Sequence, residues 1–97
     1  MVQTVRSQTI LADNQMIFFE RPHVLRRIFL SVKVLVDLST WCETWLSFDD
    51  PTFSSYYMMA GPAKFFKAKG EGISQGDVWL RNCSGGNVIY TGTEILV

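Results

Sequence analysis

The sequence predicts an all-β fold, a small antiparallel β-sandwich of jelly-roll or Greek-key type with about eight short strands. Three observations carry that expectation. Leu30, Val32, Val34, Val36 and Leu38 alternate with Ser31, Lys33, Leu35, Asp37 and Ser39, the period of a strand with one dry face. Clusters of Asp, Asn, Pro and Gly punctuate short apolar segments along the chain, which is sandwich or barrel spacing. No segment of helical period reaches a convincing length.

Taken in order, Val2 to Leu11 mixes Gln, Thr, Ser and Arg with Val and Ile and alternates poorly. It reads as an edge strand or as an extended N-terminal arm over residues 1–15 that orders on a partner. Ala12-Asp13-Asn14-Gln15 is a turn, since Asp and Asn bond their own backbone and tolerate left-handed conformations. Met16 to Phe19 is a short strand, ended at Pro22, which lacks a ladder donor. Val24 to Ser39 is the long central strand, bent near Arg26-Arg27 where the alternation slips. Thr40 to Phe48 returns with Trp41, Trp45 and Phe48. Asp49-Asp50-Pro51-Thr52 turns the chain into a strand over Ser54 to Met59. Gly61-Pro62 punctuates, Ala63 to Ala68 is a short strand, and Gly70, Gly72 and Gly76 mark a flexible loop. Asp77 to Asn82 is a strand, Ser84-Gly85-Gly86-Asn87 a hairpin turn, and Val88 to Leu96 the closing strand.

Ninety-seven residues predict a single domain. So short a chain hides only about 65% of its unfolded surface. Its residues are 47% hydrophobic and 13% aromatic, more aromatic surface than so small a core needs. The excess points to contact with another subunit, where aromatic residues are enriched. Nine basic and nine acidic residues cancel. Neither nucleic acid nor an anionic membrane is therefore an expected partner. Lys33 and Asp37 interrupt the longest apolar run, so no membrane span is expected. Met1 is not followed by a basic region and an apolar stretch, so no secretory signal is read. On that basis Cys42 and Cys83 are expected to be free thiols, and the Asn82-Cys83-Ser84 acceptor pattern is taken as coincidence.

No stretch forms a catalytic or metal motif, and no enzyme activity or cofactor is expected. His23, Cys42 and Cys83 lack the short spacings of a zinc site. Asp49, Asp50 and Asp77 carry the oxygen chemistry of calcium ligands, but Asp49-Asp50 reads first as a solvated turn. As neighbours the two would point apart on a strand, unlike a pair of carboxylates working on one bond. No Gly-Lys-Ser/Thr follows the glycines, so they are not a phosphate loop. The aromatic run Phe53, Tyr56, Tyr57, Phe65, Phe66 and Trp79 reads as core and subunit contact, or else as a platform for stacking sugars. Arg26, Arg27 and Arg81 are candidates to pair with acids across an interface.

From Gly61 the chain runs Gly61-Pro62-Ala63-Lys64-Phe65-Phe66, then Gly76-Asp77-Val78-Trp79-Leu80-Arg81-Asn82, then a Ser-Gly-Gly turn and Thr91-Gly92-Thr93-Glu94-Ile95. Residues 61–96 in this respect resemble the closing hairpin of small structural proteins of tailed phages, the β-sandwich modules that decorate heads or build fibres and tail adaptors. The resemblance implies a non-enzymatic virion protein, assembled in the host cytoplasm, that associates with itself (as a trimer) and docks on other virion proteins. A lectin-like, carbohydrate-binding sandwich is the alternative. Phe29, Leu35, Trp41, Trp45, Tyr56, Tyr57 and Trp79 are the expected interface residues.

Overall fold

Alternating side chains make each strand a ribbon with two faces, and two such sheets can bury their apolar faces against each other. The computed structural model describes residues 3–20, 25–33, 41–62 and 67–96. Among these the chain forms β1 (Gln3–Ile10), β2 (Gln15–Phe19), β3 (Arg26–Lys33), β4 (Trp41–Phe48), β5 (Tyr57–Pro62), β6 (Lys67–Ser74), β7 (Val78–Asn82) and β8 (Val88–Leu96). One sheet has the order β1-β8-β3-β6 and the other β2-β7-β4-β5, with antiparallel pairing throughout. First strand pairs with last, second with seventh, third with sixth and fourth with fifth. That nesting is the jelly-roll order, so the expected fold class stands.

The two inner faces meet in one core. Ile28, Leu30 and Val32 of β3 and Val88 and Tyr90 of β8 face Phe18, Phe19, Leu46, Val78 and Leu80 of the opposite sheet. Each such side chain, fully buried, stabilises the fold by about 1.5–3 kcal/mol. A bulge in β2 between Ile17 and Phe19 turns both phenylalanines inward, and their rings meet edge to face at 5.1 Å. Gly92 makes room for them: a Cβ there would stand 2.6 Å from the Phe18 ring. Thr44 Oγ1 and Tyr90 Oη join the sheets through the core at 2.7 Å, which satisfies two polar groups that water does not reach. Asn82, also fully buried, donates from Nδ2 to the carbonyls of Ile10 and Gly86, and its Oδ1 accepts from Ser84 N–H. The glycosylation acceptor is thus a structural asparagine.

Several expectations are corrected. β3 holds to one register, and the alternation does not slip at Arg26. Arg26 is itself an inward residue, fully buried, with Nε 2.7 Å from Glu94 Oε2 and Nη2 donating to the Gly76 carbonyl at 2.9 Å. It pairs within the chain and not across an interface. The Nε–H does not point along the Glu94 contact, so the pair is held by charge more than by a directed hydrogen bond. Gly70 and Gly72 are not loop residues. They lie in β6 opposite Leu30 and Ile28, and a Cβ on Gly72 would meet the Phe48 ring at 2.5 Å. Glycine here permits close packing rather than freedom. The strand read over Ser54 to Met59 begins only at Tyr57, because Asp50 holds residues 50–55 in a loop. Ser84 to Asn87 is no hairpin turn. It crosses from one sheet to the other, since β7 and β8 do not pair, and no described glycine has a positive φ. The N-terminal segment is an edge strand on β8. His23, Val34, Leu35, Val36, Leu38, Phe65 and Phe66 lie outside the described residues.

Candidate functional site

An antiparallel sheet packed on one side ordinarily turns polar side chains to water on the other. The outer face of the β2-β7-β4-β5 sheet does not. Trp41, Glu43 and Trp45 are spaced by two on β4 and so share this face. Register sets Trp45 between Arg81 of β7 and Met58 of β5, Trp41 opposite Pro62, and Trp79 between Ile17 and Ser47. Trp41 is 47% exposed and Met58 58%.

The loop after β4 completes the surface. The Asp50 carboxylate accepts from the backbone N–H of Thr52, Ser54 and Ser55 and from the hydroxyls of Thr52 and Ser54. These bonds, the Thr52 hydroxyl first, hold its carboxyl well below the usual carboxylate range. Phe53 is buried at φ 54°, an uncommon conformation for a bulky residue. Its ring packs against Trp45 at 6.2 Å. So fixed, the loop lays Tyr56 flat on Trp45, with centroids 4.2 Å apart and 15° between planes. The Arg81 guanidinium lies 5.2 Å from the Trp45 ring. Glu43 orients both indoles, accepting from Trp45 Nε1 at 2.8 Å and Trp41 Nε1 at 3.3 Å.

Of the expected interface residues, the structure brings Trp41, Trp45, Tyr56 and Trp79 onto this one face. Tyr57 is not on this face: paired with the core residue Leu46, it stands on the inner side of β5 at the open edge of the sandwich, 65% exposed, its ring edge-on to Phe48 at 6.3 Å. Phe29 is elsewhere, on the outer face of the other sheet. Ile17, Glu43 and Met58 belong to the surface and were missed. The Trp41-Glu43-Trp45 spacing was the available signal for Glu43, whereas Ile17 and Met58 join only through pairing.

The arrangement offers burial of aromatic area and little chemistry. Asp50 is saturated by donors from its own loop. Cys42 and Cys83 are free thiols, and burial pushes both up, away from the thiolate a nucleophile needs. Among the described residues no group of three His, Cys, Asp or Glu side chains is placed to hold a metal. No described helix is long and apolar enough to cross a membrane. Neither a protein-family model, a curated protein nor a solved structure matches the chain.

Proposed function

We propose that this chain is a non-enzymatic structural protein of a tailed-phage virion, a decoration or fibre module. It associates with copies of itself through the outer face of the β2-β7-β4-β5 sheet and docks on other virion proteins after assembly in the host cytoplasm. The observation that carries this is a sheet face bearing Trp41, Trp45, Tyr56 and Met58 where polar residues are the rule. Exposed surface of this kind marks an interaction site. Strands β2, β7, β4 and β5 hold 5, 5, 8 and 6 residues, which at about 3.3 Å per residue and about 4.8 Å between strands give a face of roughly 380 Å² in projection. That is about half of the roughly 800 Å² each partner contributes to a standard interface, before the loop that carries Tyr56 is counted.

A second copy is the occupant because the face is self-complementary. It carries the Glu43 carboxylate and the Arg81 guanidinium, so one copy's cation can meet the next copy's anion. A chain with net charge zero adds little repulsion. Closed symmetry buries every such face; a self-complementary face closes most simply as a two-fold dimer, and the trimer is what the phage resemblance alone implies. The jelly roll recurs in both capsid and lectin domains. The lectin reading would use these same rings, but Trp45 is already covered by Tyr56 and approached by Arg81. Mass spectrometry of purified particles from the phage that encodes the chain tests the proposal. Stoichiometric presence supports it; absence from particles contradicts it.

A further inference from the structure

The outer face of the β1-β8-β3-β6 sheet has a different chemistry. Two rungs cross its centre. One reads Val5, Thr93, Phe29, Glu71, and the other Ser7, Thr91, Ser31, Lys69. Phe29, Ser31, Lys69, Glu71, Thr91 and Thr93 line a groove of about 530 Å³, within the usual range of small-molecule sites. A half-buried aromatic ring stands beside three hydroxyls, a carboxylate and an ammonium. Thr91 is positioned by Ser7, their hydroxyls 3.2 Å apart, and Ser31 Oγ donates to the Thr91 carbonyl at 3.2 Å. Lys69 and Glu71 are exposed and make no ion pair with another described residue.

We propose that this groove binds a pyranose sugar, stacked on Phe29 and hydrogen-bonded by Glu71, Lys69 and the Thr91 and Thr93 hydroxyls. β3 and β8 are interior strands, paired on both sides. Their backbone groups are spent on the sheet, so an added peptide strand finds no ladder here. A nucleic acid would need clustered cations and meets one lysine beside one glutamate. A sugar needs what the groove has: an apolar ring face for its C–H groups, a carboxylate to accept from its hydroxyls, and donors to return the bonds. A monosaccharide is small, so affinity is on the order of millimolar. The inference stands apart from the assembly reading, since it uses the opposite sheet.

The test is amide chemical-shift mapping of the intact chain titrated separately with glucose, galactose, mannose, N-acetylglucosamine and glucuronic acid. The expected result is saturable shifts at residues 29, 31, 69, 71, 91 and 93 with at least one sugar. Glu71→Ala, at an exposed site that leaves the fold intact, should weaken that sugar at least tenfold, and Trp41→Ala should leave it unchanged. No shifts with any of the five, shifts centred on residues 41, 45 and 56, or unweakened binding by Glu71→Ala would each overturn the proposal.

Discussion

Across the outer face of one sheet a rung reads Arg81, Trp45, Met58; across the outer face of the other, a rung reads Thr91, Ser31, Lys69. Both rungs stand on one core, to which both sheets contribute apolar side chains. The core therefore does not explain the difference. On the β1-β8-β3-β6 face Val5 and Ile73 stand exposed singly on the two edge strands, while hydroxyls and charges cross the centre and meet water at little cost. Indoles and thioethers on the β2-β7-β4-β5 face do not, and the chain spends Glu43, Asp50 and Phe53 on orienting them. A surface both costly in water and ordered in detail is one shaped for contact.

The comparison assumes that both faces share one support, and the largest effect tests that. Glu94→Ala leaves the fully buried Arg26 cation without its anion. Stranding one member of a buried pair costs about 3–5 kcal/mol. Urea unfolding at fixed protein concentration should show that loss, followed identically by tryptophan emission and by far-ultraviolet dichroism. A loss below about 1 kcal/mol, within the range of an exposed pair, would mean that the pair is not structural.

The next change cuts the bridge between the sheets. Tyr90→Phe leaves the Thr44 hydroxyl buried without its partner, at a cost of about 1–3 kcal/mol. The same site sets an alkaline limit. Burial holds the Tyr90 phenol well above its ordinary value, with the Thr44 hydrogen bond opposing in part. The unfolded chain releases that proton near pH 10, about the free tyrosine value, while the folded chain keeps it. Stability from this group is whole below that pH and falls as pH rises toward the folded value. Thermal melts above pH 10 should drop more steeply for the wild type than for Tyr90→Phe.

The smallest effect lies in the loop that delivers Tyr56. Asp50→Asn removes the charge that five donors converge on and should free Tyr56 from Trp45, seen as a change in tryptophan emission with the global melt little altered. Because the Asp50 carboxyl sits below its usual range, its contribution is complete above about pH 4, the free carboxylate value, and fades as pH falls through the lower folded value. Loop order in the wild type should therefore outlast pH 4. Its loss at or above that pH would show that the hydrogen bonds do not hold the loop.

How far these faces could be read from the sequence varied with the kind of signal. Period-two alternation gave β3, and the turn residues that bound them gave β4 and β7; the even spacing that puts Trp41 and Trp45 on one face of β4 was there to be read. Pattern could not tell that Arg26 is an inward residue, because arginine is scored polar until a buried carboxylate from β8 comes to meet it. Gly70 and Gly72 carry the composition of a loop. Only the Phe48 and Leu46 side chains pressing from the facing sheet make them strand residues. The inter-sheet crossing at Ser84–Asn87 looks like a hairpin because turn residues report that the chain turns, not which strand follows beside it. Phe29 was grouped with the tryptophans in one interface; pairing puts it on the outer face of the opposite sheet.

The central claim is that the β2-β7-β4-β5 outer face, and not the other, holds copies together. The most direct measurement is the mass in solution, by light scattering on size exclusion at tens of micromolar, of the wild type and two variants. Met58→Glu places a charge within the aromatic face, and Thr93→Glu places one on the hydroxyl face. The account predicts a wild-type mass of a closed oligomer of the 11.1 kDa chain, the same mass for Thr93→Glu, and a monomer for Met58→Glu with its melt preserved. A wild-type monomer, or dissociation by Thr93→Glu but not by Met58→Glu, would contradict it.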